Sequence, residues 1–216
     1  MIELNEVSYH YPKGNFAING LCLSVKAGEC TALCGVNGSG KTTIAKLMAG
    51  LIRPDSGSIL MDKEDTKDMS LGRIGTKVGF LFQEPSRQLF AVTVMEELTF
   101  AETIKGKEEK QAVERAEKVL ARFDMGNMGE QNVLNLSRGE KQRLAICALL
   151  LCEPKILILD EPTSGLDEEA AEKLSLTIEK LVASGTGVVL ISHDERFVAR
   201  HANRVLKVSE GSVYEQ

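Results

Sequence analysis

The sequence predicts an α/β fold. A mostly parallel sheet surrounds a phosphate-binding loop, an antiparallel β subdomain lies at the N-terminal end, and an α-helical subdomain is inserted in the middle. Three observations predict it. Residues 35–42 read Gly35-Val36-Asn37-Gly38-Ser39-Gly40-Lys41-Thr42, the form G-x-x-x-x-G-K-[ST], with a β-prone run before it and a helical pattern after it. From residue 156 onward, short apolar runs alternate with amphipathic segments, as in a doubly wound sheet. Between about 93 and 152 the apolar spacing is helical.

Taken in order, residues 1–30 alternate short apolar runs with turns at Tyr11-Pro12-Lys13-Gly14 and Ala27-Gly28, which predicts a small antiparallel sheet that residues 56–61 join. Cys30-Thr31-Ala32-Leu33-Cys34 is the strand into the loop, and a helix starts at Lys41 and stops at Gly50. Residues 77–82 form a buried-type strand ending at Gln83. Thr93 and Glu96 make a capping box, and Val113, Ala116, Val119, Leu120 and Phe123 recur at helical spacing beside a solvated face at 108–110. Then come a strand at 156–160, a helix over 167–183 stopped near Gly185, a strand at 187–192, a short helix over 194–201 and a last strand at 205–208. The whole chain, 1–216, reads as a single domain, with residues about 86–152 as the helical subdomain.

The composition narrows the function classes. The chain has 216 residues, enough for one sizeable core, and a net charge of −5, which argues against a broad nucleic-acid surface while leaving room for a local basic patch. The longest apolar stretches, 144–152 and 156–159, are too short to span a bilayer, and the N-terminus lacks a basic segment followed by an apolar run. Any membrane role is therefore expected to come through a partner. The five cysteines, an odd number without C-x-x-C, read as reduced, buried residues of a cytosolic protein. Cys34, directly before the loop, is a candidate for inhibition by thiol modification.

Three segments carry chemistry. In the loop, glycines turn successive N–H groups toward one point, and a helix starting at Lys41 adds its positive dipole end. Lys41 can reach the β- and γ-phosphates, and the Thr42 hydroxyl can ligate Mg²⁺. In Ile156-Leu157-Ile158-Leu159-Asp160-Glu161-Pro162, two carboxylates end a buried strand: Asp160 to hold Mg²⁺ through water, Glu161 to orient or deprotonate an attacking water. In Leu136-Ser137-Arg138-Gly139-Glu140-Lys141-Gln142-Arg143, Ser137 and Glu140 form a second capping box. That makes a second anion-binding helix end, for which one triphosphate has no intramolecular need.

Taken together, these segments resemble the ABC (ATP-binding cassette) ATPases, and the motifs follow the family's order. They are the loop at 35–42, Gln83 as the Q-loop, 136–142 as the signature, 156–161 as the Walker B strand, Ser164-Gly165-Leu166-Asp167 as the D-loop, and His193 as the switch histidine. The resemblance implies a P-loop NTPase core with ATP and Mg²⁺ as cofactors. It also implies a head-to-tail pair of cassettes in which each ATP lies between one loop and the partner's signature. Asn37, Gly38, Ser39, Gly40, Lys41, Thr42 and Thr43 would then bind the nucleotide's phosphates. Tyr11 would stack on adenine, with Tyr9 or Phe16 as alternatives. Gln83 would ligate Mg²⁺ and sense the membrane partner, while Ser137 and Gly139 would face the partner's γ-phosphate. Asp167 would couple the two sites and would also serve as a helix N-cap. His193 would contact the γ-phosphate and link to Glu161.

The signature departs from the usual L-S-G-G-Q at Arg138 and Glu140. Arg138 would bind phosphate or clash if it pointed into an interface, and would be neutral if it pointed outward. Tyr9-His10-Tyr11-Pro12-Lys13-Gly14 and the segment 82–90 look like the energy-coupling-factor branch, the cobalt, nickel and vitamin uptake ATPases. The implied partners are a transmembrane subunit and a second ABC ATPase subunit, at the cytoplasmic face of the membrane. Many such ATPases continue into a C-terminal dimerisation segment. Here the chain stops at Gln216, so dimerisation is expected to rest on the ATP sandwich and the membrane partner. An exporter ATPase and a soluble regulatory ABC protein are the alternatives.

Overall fold

A computed structural model describes residues 1–12, 17–104 and 106–215. Lys13 and Gly14 of the expected turn, and Phe16, lie outside the described residues. The chain divides into two compact units: Met1–Phe80, Pro154–Pro162 and Ile178–Gln216 form the first, and Leu81–Glu153 with Thr163–Thr177 the second.

In the first unit, β1 (Ile2–His10), β2 (Ala17–Val25), β4 (Ser56–Met61) and β5 (Glu64–Asp65) form an antiparallel sheet in the order β2-β1-β4-β5. The strict alternation of β1 breaks at Glu6, which adopts φ 49° where the register shifts, so Leu4 and Val7 are both buried. The second sheet runs β10-β9-β3-β8-β7-β6, from Ser212–Glu215, Arg204–Ser209, Cys30–Cys34, Gly187–Ile191, Ile156–Asp160 and Val78–Leu81. Strands β3, β7, β8 and β9 pair in parallel. Every residue of β7 and β8 is buried, which is why both read as unbroken apolar runs.

One expectation is corrected at the C-terminal end. The strand at 205–208 is not the last: β9 turns at Gly211 into β10, a short strand in which only Val213 is half-buried and the rest is exposed, so no apolar alternation marks it. Helix α1 (Lys41–Met48) follows β3 and ends as expected at Gly50, where Gly50 and Leu51 donate back to the Leu47 and Lys46 carbonyls. A short helix α2 (Leu71–Gly75) precedes β6.

The second unit is helical: α3 (Val94–Ile104), α4 (Glu109–Arg122) and α5 (Arg138–Leu151). Thr93 and Glu96 exchange the reciprocal bonds of the expected capping box. The buried stripe of α4 is Ala112, Ala116 and Leu120, continued by Phe123; Val113 and Val119 sit half-buried at its edges. Helix α6 (Glu168–Ala183) starts at the end of the second unit and finishes in the first, and α7 (Glu195–His201) lies between β8 and β9.

Candidate functional site

The C-terminal ends of β3, β7 and β8 carry the chemistry of the first unit. Gly35, just after β3, approaches β9 so closely that a Cβ would stand 2.2 Å from the Val208 carbonyl oxygen. The Ser39 carbonyl accepts from Gly211 N–H at 3.0 Å, so the loop rests on the β9–β10 turn. Gly40 caps α1 at φ 112°, a left-handed conformation open to glycine, and no side chain caps this helix. Its first-turn N–H groups are therefore directed at the loop, as an anion site requires. The Lys41 ammonium lies within the loop, donating to the Gly35 and Val36 carbonyls at 2.7 and 3.0 Å.

At the end of the loop, the Thr42 hydroxyl donates to Asp160 Oδ2 at 3.0 Å. Asp160 is 5% exposed, and burial raises its carboxyl above the usual range, opposed by the Thr42 hydrogen bond. Glu161 follows in the left-handed region at φ 50°, with its N–H held by the Ile191 carbonyl. A non-glycine residue held there costs about 1–3 kcal/mol, a strain found at functional sites. Its Oε2 lies 2.8 Å from His193 Nδ1, and the imidazole is otherwise largely exposed.

Tyr11 reaches the same region. Its hydroxyl lies 3.3 Å from Thr43 Oγ1, and its ring meets Tyr9 edge-on at 5.0 Å between centroids. Cys34 is half-buried, and burial pushes its thiol pKa up, so it is a weaker nucleophile than its place beside the loop suggests.

Three features of this unit fit a magnesium nucleotide. The Ser39 hydroxyl is buried and has no protein partner; Gly38 has open space where a Cβ would be; and Thr42 and Asp160 present hard oxygen donors side by side. Among the described residues no three His, Cys, Asp or Glu side chains cluster as a metal cage. Mg²⁺ bound through one or two protein groups and phosphate oxygens needs no such cage.

The second unit carries the other group. Ser137 caps α5, accepting from Glu140 N–H, while Glu140 Oε2 accepts from Ser137 N–H at 2.7 Å. These bonds hold the Glu140 carboxyl below its usual range. Gly139 packs against Leu166 and Ala170, and Asp167 caps α6 by accepting from Ala170 N–H at 2.8 Å. Arg138 is exposed, and its guanidinium lies over Ser164 and Gly165 of its own chain. Gln83 is exposed in the segment after β6.

A family model described as ABC transporter matches residues 18–164. The chain belongs to this family. It is an ATP-binding cassette, and cassettes of this family characteristically hydrolyse ATP. It is 37% identical over 213 residues to a putative ABC transporter ATP-binding protein of Caldanaerobacter subterraneus subsp. tengcongensis, aligning 99% of this chain but 37% of that protein's length. It is also 37% identical to the energy-coupling factor transporter ATP-binding protein EcfA of Methanothermobacter thermautotrophicus, over 99% of this chain and 69% of that one. Among solved structures, cbiO1 from Clostridium perfringens, part of the ABC transporter complex cbiONQ, superposes with a TM-score of 0.88 at 32% identity over 99% of this chain and 86% of that one. The cassette MJ0796, in a dimeric post-hydrolysis state bound to ADP and Pi, gives 0.88 at 27% identity over 100% and 98%.

The structure adds contacts that carried no signal in the sequence. Val208 and Gly211 buttress the loop from about 170 residues away, through backbone atoms alone. Ser164 and Gly165 receive Arg138, a contact that no spacing rule connects.

Proposed function

We propose that this cassette is the ATP-hydrolysing subunit of an energy-coupling-factor importer for a metal ion or vitamin, acting at the cytoplasmic face of the membrane. The observation that carries the hydrolytic reading is the convergence of two pairs, Thr42 with Asp160 and Glu161 with His193, beside the phosphate loop. Thr42 and Asp160 would hold Mg²⁺, and the ion would neutralise phosphate charge. Lys41 and the N–H groups of residues 37–43 bind the phosphates, and Tyr11 stacks on the base. Glu161 takes a proton from water as the water oxygen bonds to the γ-phosphorus and the bond to ADP breaks. His193, with Nδ1 engaged by Glu161, holds that carboxylate in place and keeps Nε2 for the γ-phosphate. Ser137, Gly139 and Asp167 serve the nucleotide of a second cassette, identical or different.

The importer reading draws on the EcfA and cbiO1 relatives and on an apolar surface. Phe90, Val92, Phe100 and Ile104 are 46–70% exposed in the second unit, with Phe90 and Phe100 paired edge-to-face. No described helix is long and apolar enough to cross a membrane, so such a surface suits a transmembrane partner.

The test has two parts. Glu161→Gln should lose hydrolysis by at least about 100-fold and form a dimer on adding ATP, read by size exclusion with light scattering; a monomer with ATP would refute the paired mechanism. Affinity purification from native membranes in mild detergent should bring down a multispanning scaffold with a small substrate-binding membrane subunit. A transmembrane partner lacking that subunit would move the assignment to an exporter, and none at all to a soluble regulator.

A further inference from the structure

Arg138 occupies the first position of α5, where the helix dipole disfavours a cation. A contact of its own must offset that, and the structure contains one. Its Nη2 lies 3.4 Å from Ser164 Oγ. Its guanidinium covers Gly165 so closely that a Cβ there would stand 2.5 Å from Nη1 and 2.8 Å from Cζ. Gly165 is in the left-handed region at φ 73°, so glycine is required both by the backbone and by the arginine above it. One residue further along α5, Gly139 meets the same turn and the helix after it: a Cβ there would be 3.5 Å from Leu166 Cδ2 in the turn and 3.3 Å from Ala170 Cβ in α6. The start of α5 thus grips the 164–167 turn at two points. A planar guanidinium can lie against a peptide while donating at its edge, and a lysine ammonium cannot reproduce this.

We propose that Arg138 is a positioning residue that locks the signature segment to the 164–167 turn of the same protomer. The two segments a cassette presents to its partner then move as one body, and the two nucleotide sites of the pair act in concert. This rests on the head-to-tail pairing proposed above. With a glycine at this position, the guanidinium contact to Ser164 and Gly165 would be absent.

The test is steady-state ATPase kinetics of the wild type, Arg138→Gly, Arg138→Lys and Gly165→Ala, with nucleotide affinity and Tm measured in parallel. Arg138→Gly should lower kcat about fivefold, the size expected for losing one coupled contact, and bring the Hill coefficient for ATP toward unity. Nucleotide affinity of the single cassette should not change. Arg138→Lys should fail to rescue, and Gly165→Ala, which displaces the guanidinium from the other side, should reproduce the loss. Full rescue by lysine would assign the effect to charge and overturn the proposal. So would unchanged kinetics in Arg138→Gly, or a drop in Tm with kcat and cooperativity intact. If the wild type hydrolyses no ATP and Glu161→Gln does not dimerise, the underlying cassette reading fails and takes the proposal with it; Arg138 variants that depart from an active wild type cannot give that result.

Discussion

Glu161 holds a side-chain contact to His193 from a backbone conformation that costs stability. Its carboxylate is delivered to His193 by a backbone in the left-handed region, at φ 50°, anchored through its N–H to β8. Two variants that both lack the carboxylate separate the backbone cost from the chemistry. Alanine is ordinarily favoured over glycine, but here glycine alone relieves the conformation. Glu161→Gly is expected to melt about 2–4 °C above Glu161→Ala, corresponding to about 1 kcal/mol, with both inactive. Equal melting temperatures, or alanine the more stable, would show that the backbone relaxes once the side chain is gone.

Among the elements, the helices of the second unit are held by an ion cluster as well as by their apolar stripes. Glu102 of α3 has a side chain 3% exposed and accepts from Lys107 and from Arg115 of α4. Arg115 also donates to the Leu151 carbonyl at the end of α5 and to Glu153. Removing one cation leaves a buried carboxylate under-compensated, whereas replacing both members by apolar groups removes the desolvation problem. Arg115→Leu should cost about 3 kcal/mol in urea denaturation, and Glu102→Leu combined with Arg115→Leu should recover most of it. A double variant as unstable as the single would locate the cost in lost packing of the arginine stem instead.

Within the first unit as a whole, the two sheets are tied at Asp62, in the turn between β4 and β5. It accepts from Lys77 ahead of β6 at 3.1 Å, from Lys155 ahead of β7 at 2.9 Å and from the terminal ammonium at 3.0 Å. Hydrogen bonds from these cations, Lys155 foremost, hold its carboxyl far below the usual range. A depressed folded-state pKa gives stability that is complete above the unfolded-state value, about 3.9, and is lost as pH falls toward the folded-state value. The Tm gap between the wild type and Asp62→Asn should therefore be constant from about pH 7 to pH 5 and close progressively below about pH 4. A gap that closed on raising the pH instead would contradict this assignment.

What the sequence determined by itself was everything with a short-range signature. The phosphate loop between β3 and α1, the capping boxes at Thr93 and Ser137, the unbroken apolar strands β7 and β8, and the acids that end β7 are all set by neighbouring residues. Local sterics and hydrogen bonding suffice to specify them. The turn into β10 left no apolar alternation to read, because the residues of that strand are mostly exposed. Three matters were decided only by tertiary structure. Val208 and Gly211 support the loop, Tyr11 reaches Thr43, and the Arg138 guanidinium lies over Gly165. Each depends on chain segments distant in sequence meeting through backbone atoms or one long side chain, and such contacts impose no periodicity and no composition that a linear pattern could carry.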